Sequence, residues 1–435
     1  MFVLLAVVLL ILGSIHFYLW KRLVKDTTAP GRLRRAGTVA VIALAVLLPV
    51  TLVGTRVLPH SQQAILAWPG YLWLAVMFYL LVTLALLELP RLALRLWLRR
   101  RASAAAGVGS AASAEVAAEV AASASAVSTA SAASPASADS TASAASVASA
   151  AEPLPAAPDP KFDPARRLLL GRSLAATAGA LSVGAVGIGA YQALGEPQLK
   201  RVPIRLAKLP ASMAGFKIAV VSDIHLGPLL GRAHTERIVR IINSVGADLV
   251  AVVGDLVDGS VAELGSAAEP LQDLKARHGS FFVTGNHEYF SGYQEWVDEV
   301  NSLGVRVLRN ERVDIQGLDL AGVNDVTGSD FDDGPDFARA LGGRDAARPV
   351  VLLAHQPVQA HDAAKHGVDL QLSGHTHGGQ MVPFNLLVAL EAPVVAGLGN
   401  VDGTQVYVTR GAGFWGPPVR FGAPPDISVV ELHGA

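Results

Sequence analysis

The stretch LQLSGHTHGGQM, residues 370–381, joins a short run of strand character to two histidines one residue apart, set among three glycines. Side chains alternate along a strand, so His375 and His377 both sit at one rim of a sheet. The glycines permit backbone torsions and close approach that a Cβ would obstruct. A plain reversal needs only Asn-Gly or its equivalent, so this composition points to chemistry at a strand end.

Outward from there, short β-type runs alternate with helical segments from residue 216 onward. KIAVVSD, ADLVAVVGD, GSFFVTGNHE, VRVLRN, LDLAGVND, PVVLLAHQP, VDLQLSGHTH, TQVYVTRG and ISVVEL each read as a strand. Several are apolar on both faces, as a doubly covered sheet requires. HTERIVRIINSVG and YQEWVDEVNSLG carry helical spacing between them. The pattern predicts an α/β domain with at least one central, buried sheet.

The polar residues stand where those strands run out, which is where open α/β sheets collect ligands. Asp223 and His225 end the first strand in VVSDIHLG, and Asp255 ends the second in VVGDLVD. Asn286 and His287 follow the third in VTGNHE, His355 ends LLAHQP, and His375 with His377 closes LSGHTHGG. Five strand ends thus offer carboxylate, imidazole and amide, most with glycine beside them. Cysteine is absent from the sequence, so disulfides and thiolate metal ligands are excluded. Mixed N and O donors suit Mn, Fe, Zn or Ni better than Ca.

The order D-x-H, G-D-x-x-D, G-N-H-E, H and G-H-x-H, present as DIH, GDLVD, GNHE, AHQP and GHTH, resembles the calcineurin-like metallophosphoesterase superfamily over about residues 215–433. VSDIHLGP, the GGQ after GHTH and the tail TRGAGFWGPPVRFGAPPDISVVEL are similar, more narrowly, to its bacterial membrane-associated YkuE/YaeI-type phosphodiesterase branch. The resemblance implies a four-layer α/β/β/α sandwich across residues 196–435 and two divalent metal ions. By motif, Asp223, His225 and His377 would hold one ion, Asn286, His355 and His375 the other, and Asp255 both. His287 would stand free of the metals beside the phosphate as the catalytic residue, protonating the departing oxygen or stabilising charge. Asp258 and Glu288 would support the ligands. Two cations about 3.5 to 4 Å apart would bring the pKa of a shared water from 15.7 to roughly 7, and the resulting hydroxide would attack the phosphoester.

The rest of the sequence reads differently. The whole chain's apolar fraction of 51% beside 16% charged residues points to membrane segments, and its net charge of −1 is an average over unlike parts; no nucleic-acid partner is expected. Residues 1–20, 37–54 and 64–89 are apolar runs long enough to cross a hydrocarbon core of roughly 30 Å. Basic residues follow the first and third (Lys21, Arg22, Lys25; Arg91, Arg95, Arg99), whereas the loop between the second and third has Arg56 alone. The positive-inside rule then places residues 1–101 as three membrane helices with their basic ends in the cytoplasm, the first an uncleaved helix with its N-terminus outside. Residues 102–164, rich in Ala and Ser, predict a disordered linker. Residues 165–195 predict a fourth membrane helix or, through Arg166 and Arg167, a twin-arginine-like signal anchor. Everything after about residue 195 is then expected outside, on a multi-pass cell-membrane protein.

A membrane-anchored phosphodiesterase acting on a lipid-linked or envelope phosphoester follows. The enzyme alternative is a pyrophosphate hydrolase of a nucleotide-linked acyl sugar, which would need a cytosol-facing domain. The alternative from another class is a non-catalytic metal-binding scaffold, against which every motif ligand is present. Phe414, Trp415, Pro417 and Pro418, with MVPFNLLVALEAPVVAGLG after GHTHGGQ, suit either a greasy lip for an acyl group or ordinary core packing.

Overall fold

The computed structural model describes residues 2–128 and 164–434. Four N-terminal helices come first: α1 (Phe2–Leu19), α2 (Arg32–Val57), α3 (His60–Ser128) and α4 (Pro164–Leu194). Four segments are long and apolar enough to cross a membrane: Ala6–Lys25, which runs from α1 through the helical turn Trp20–Lys25, Arg32–Val57, His60–Pro90 and Leu168–Leu194. Leu19, Leu48, Met77, Leu80, Leu84 and Ala178 form their shared buried cluster. Between helices, Trp73 Nε1 donates to His16 Nε2 at 3.2 Å, and the hydroxyls of Thr83 and Ser182 hydrogen-bond at 3.2 Å. Such pairs satisfy polar groups that lipid cannot.

From residue 102, where the expected linker begins, α3 continues as helix to Ser128. Alanine has the highest helix propensity and loses no side-chain entropy in a helix. The remainder of the expected linker, residues 129–163, lies outside the described residues.

After α4 come two six-stranded sheets. The first contains β1 (Gln198–Arg205), β2 (Phe216–Val221), β3 (Leu249–Val253), β4 (Ser280–Val283), β5 (Val305–Val307) and, returning from the C-terminus, β12 (Asp426–His433); its order is β1-β12-β2-β3-β4-β5. The second contains β6 (Glu311–Ile315), β7 (Leu318–Gly322), β8 (Val350–Leu353), β9 (Leu370–Ser373), β10 (Gly397–Val401) and β11 (Thr404–Val408), in the order β10-β11-β9-β8-β7-β6. β2, β3 and β4 run parallel in one sheet, and β7, β8 and β9 in the other.

Alternation along each strand separates the layers. Leu249, Ala251 and Val253 of β3 join Leu318, Leu320, Val351, Leu353, Leu370 and Leu372 in a core between the sheets. Val250 and Val252 face the other way, against Ile238 and Ile242 of α5 (Arg232–Ser244) and Leu264 of α6 (Val261–Ala268). After the short α7 (Asn286–Phe290), Trp296 of α8 (Tyr293–Ser302) completes that cluster. On the far side, Ala321, Val350 and Leu352 pack on α9 (Phe337–Leu341) and Ala363 of α10 (Ala360–Lys365). The layers are α/β/β/α, as the family resemblance implies. Because both sets of central strands are parallel, their carboxyl ends deliver loops to one rim of the sandwich.

Candidate metal centre

Strand pairing continues past the strands and fixes the first residues of the site. Asp223 N donates to Gly254 O at 3.1 Å and His225 N to Asp255 O at 3.2 Å, which sets the two motif carboxylates on neighbouring loops. In the second sheet Gly374 N donates to His355 O at 3.0 Å, doing the same for His355 and the GHTH turn. The sheets meet at His375, whose N–H donates to both Asp223 oxygens at 3.0 and 3.1 Å.

The backbone at these positions is unusual. Asp223 (φ 53°), His225 (51°), Asp255 (53°), His375 (72°) and His377 (51°) all occupy the left-handed region. For non-glycine residues this costs roughly 1–2 kcal/mol each, and such torsions persist where the surroundings over-determine them, typically at functional sites. Glycine fits the same logic at Gly374, where a Cβ would collide with Ser222 Oγ and the Asp223 carboxylate. Gly254 combines a φ of +75° with a position against the His355 ring.

All eight expected site residues come together. Asp223, His225 and His377 converge with ligand atoms within 4.8 Å of one another, as do Asp255, His355 and His375. Asn286 Oδ1 lies 3.0 Å from His375 Nδ1, joining the second group. Asp255 stands between the two, its Oδ2 3.1 Å from His355 Nε2 and 3.8 Å from His225 Nε2. His287 falls outside both groups, its Nδ1 2.6 Å from Asp258 Oδ1.

The donor set fits a pair of divalent cations on two observations. His355 uses Nδ1 on Val253 O at 2.8 Å, which leaves Nε2 buried, without a hydrogen-bond partner, and facing Asp255. His225 and His377 turn their Nε2 atoms towards each other at 3.0 Å, with Asp223 Oδ1 3.4 Å from the latter. Buried nitrogens facing one another and carboxylates are what a cation between them satisfies.

Electrostatics prepares these groups. Burial holds His375 near 4, with the charge of His355 adding to it. His377 is likewise kept well below its ordinary value by burial, then by His225 and Arg420. Both are therefore neutral at pH 7 with lone pairs available. Burial works to raise the Asp255 carboxyl, yet His355, His287 and His225 outweigh it and hold the group ionised. His287 goes the other way: burial opposes its charge, but the Asp258 hydrogen bond and the Asp255 and Asp258 charges push it up to about 9. Asp258, held down to about 2 because the His225 and His287 charges and hydrogen bonds outweigh its burial, stays ionised.

Asp258 and Glu288 each contact residues of this cluster. Asp258 Oδ1 also lies 3.0 Å from His225 Nδ1, so one carboxylate orients both a ligand-type and a free histidine. Glu288 accepts from the backbone N–H groups of Asp255, Leu256 and Gly285 at 3.0, 2.7 and 2.6 Å, holding the Asp255 loop. Sequence reading missed Arg420. Fully buried, it donates from Nη1 to His377 Nδ1 at 2.7 Å and from Nε to Ala423 O at 2.8 Å. Its signal in the sequence is a lone arginine in an apolar tail, indistinguishable there from a surface charge. The aromatic segment divides: Phe414, Pro417 and Pro418 are buried as packing, whereas Trp415 is exposed and meets His287 edge-on at 5.6 Å between centroids.

Comparison with known proteins agrees with this geometry. The family model described as calcineurin-like phosphoesterase matches residues 216–379, the span that carries every one of these ligand-type residues. An uncharacterized metallophosphoesterase of Helicobacter pylori is 42% identical over 247 residues, 56% of this chain and 66% of that protein. A transmembrane protein with metallophosphoesterase domain from Danio rerio is 39% identical over 261 residues, 57% of this chain and 60% of its own. The matches thus span less than two thirds of these two relatives. The uncharacterized metallophosphoesterase YkuE of Bacillus subtilis is 32% identical over 288 residues, 61% of this chain and 96% of that protein. With kinship along almost the whole of that relative, over the strands whose ends meet at the rim, the protein belongs to the calcineurin-like metallophosphoesterases.

Proposed function

We propose that the protein is a two-metal phosphoesterase that hydrolyses a phosphodiester carried by a lipid or another envelope component. In this reading Asp223, His225 and His377 hold one divalent cation, Asn286, His355 and His375 the second, and Asp255 both. The observation that carries it is the convergence of two buried ligand groups on Asp255, whose Oδ2 lies 3.1 Å from His355 Nε2 and 3.8 Å from His225 Nε2. When bound, the cations, of the Mn, Fe, Zn or Ni kind, supply an activated water and neutralise charge on the phosphoryl oxygens.

The remaining work falls to the protein. His287, whose protonated form the Asp258 carboxylate favours, pairs with Asp258 at 2.6 Å and is open to solvent on one side. It is suited to stabilise charge on the phosphoryl group or to pass a proton to the departing oxygen. Asp258 holds that proton at Nδ1, and Glu288 keeps the Asp255 loop rigid, so neither needs to move during turnover.

Residues 1–101 and 165–195 then form a multi-pass anchor. Arg22 Nη2 reaches Glu88 Oε1 at 2.6 Å and Arg172 Nε donates to Thr27 O at 3.1 Å, which supports gathering the basic ends on one side. The positive-inside rule makes that side cytoplasmic. α4 leaves the opposite end into β1, so residues 196–435 face outward. Packing of Ala178 among α1, α2 and α3 supports the anchor-helix reading of this segment over a signal anchor.

The test uses the full-length protein in detergent, stripped with a chelator and reloaded with Mn²⁺. About two ions per molecule should return, together with turnover of a bis-aryl diester exceeding that of an aryl monoester. Chelator-insensitive turnover, or no metal uptake at all, would overturn the reading.

A further inference from the structure

The segment that follows GHTHGGQ does not fold back into the sandwich. It forms a short helix, α11 (Asn385–Val388), and carries Phe384, Leu386, Leu387 and Leu390 exposed, Leu390 at 80%, before the chain re-enters the second sheet at β10. Leucines so open on a water-facing loop would be a liability, and contiguous apolar surface of this kind marks an interaction site.

Its neighbours identify what covers it. Phe384 meets Phe78 of α3 edge-on at 6.4 Å, and Phe421 meets Tyr79 at 5.6 Å. Met381 and Phe421 pack on a cluster of Ala75, Tyr79 and Val186 with Val419. Arg420 N donates to Gly189 O of α4 at 2.9 Å. Depth can be counted along both helices. Phe78 and Tyr79 lie roughly 20 Å of helix from the first arginine of the basic end, Arg91, and Val186 lies roughly 20 Å from Arg172. In a hydrocarbon core of roughly 30 Å, both positions are about 10 Å below the opposite boundary. The Phe384 ring therefore touches α3 within the apolar zone, and the exposed leucines beside it continue that surface.

The metal centre is close by. His377 and Met381 are four residues apart, at most about 14 Å of backbone, and Gln380 between them ties down the rim: its Nε2 donates to Trp415 O at 3.0 Å while its Oε1 accepts from Trp415 N at 3.1 Å. Wall of the site and apolar lip are one continuous segment.

We propose that Met381–Leu390 is inserted in the leaflet opposite the basic helix ends, seating the metal centre at the headgroup plane, so that the phosphoester it hydrolyses is carried by a bilayer lipid and enters from the side. The lipid part rests on the hydrolase reading above; the insertion does not.

The absence of native cysteine makes single-site labelling clean. L386C and L390C would be spin-labelled in the full-length protein, reconstituted in phosphatidylcholine–phosphatidylglycerol vesicles, with S302C on the outer face of α8 as reference. Insertion predicts labels accessible to oxygen and shielded from a water-soluble nickel chelate, unlike the reference; chelate accessibility equal to the reference would overturn it. In parallel, L386S/L387S/L390S should lose at least ~10-fold turnover on phosphatidylglycerol in vesicles while keeping that on a soluble bis-aryl diester. Equal losses on both would overturn lateral lipid entry and make the leucines packing residues. Failure of the unaltered, metal-loaded protein to cut either substrate would overturn the hydrolase reading, and the label depths alone would then decide insertion.

Discussion

At the scale of single residues, the two sides of Asp255 have different consequences. His287→Ala should retain both cations, because His287 lies outside the two groups that contain Asp223 and Asp255 and converges instead with His225 on Asp258, yet lose ~10²–10⁴-fold in turnover as a proton donor or charge stabiliser does. Asp255→Ala should lose turnover and metal together. Metal analysis beside single-substrate kinetics separates them, and normal turnover by the His287 variant would remove it from the mechanism. Arg420→Met tests the residue that sequence reading missed. It leaves His377 Nδ1 and the carbonyls of Ala423 and Arg410 without their donor, which costs about 2–4 kcal/mol. A lower melting temperature with bound metal reduced towards half is expected; unchanged metal content would reduce Arg420 to a packing role.

At the scale of elements, the nine strands read from the sequence are all present, and the three it passed over, β1, β6 and β10, are edge strands. Central parallel strands such as LVAVV are buried on both faces and advertise themselves as apolar runs. QLKRVPIR, ERVDI and GLGNV are half-exposed and carry charges, a proline or glycines, which edge positions tolerate and propensity penalises. α5 yields a pH prediction. Burial holds His234 near 4, helped by the Arg237 charge, whereas an unfolded histidine titrates near 6.5. On acidification the unfolded state takes the proton first, so this contribution to stability is lost from about pH 6.5 down to about 4, by up to about 3 kcal/mol. Thermal melts of the full-length protein and of His234→Leu at pH 7 and 4.5 should diverge in slope, the variant being flatter; parallel slopes would show that His234 does not drive the loss.

At the scale of the whole molecule, the α/β/β/α unit is not an independent domain on a tether. Its Val419, Phe421 and Met381 pack on α3 and α4, Ala193 of α4 packs with Leu230 and Phe414, and Arg237 Nη1 donates to Leu194 O and Gly195 O at 3.2 and 3.0 Å. Because Arg420 joins Gly189 of α4 to His377, the helix bundle also buttresses one side of the metal centre. A fragment reduced to residues 196–435 should therefore self-associate through its uncovered apolar face and melt below the full protein. Gel filtration and calorimetry decide this, and a monomeric fragment with an unchanged melting temperature would show the contacts to be dispensable.

Sequence alone determined that the domain is α/β, because strands buried on both faces must be apolar, and it singled out polar residues at strand ends that the structure brings together. It also read the four apolar helices, since crossing hydrocarbon demands length and hydropathy that few other elements share. Tertiary structure decided what depends on partners distant in the sequence. The left-handed torsions at five ligand positions, the hold of Arg420 on His377 across 43 residues, and the exposure of α11 beside α3 are each set by what packs against them. No local pattern records such a contact, because its energy arises only when both surfaces are folded.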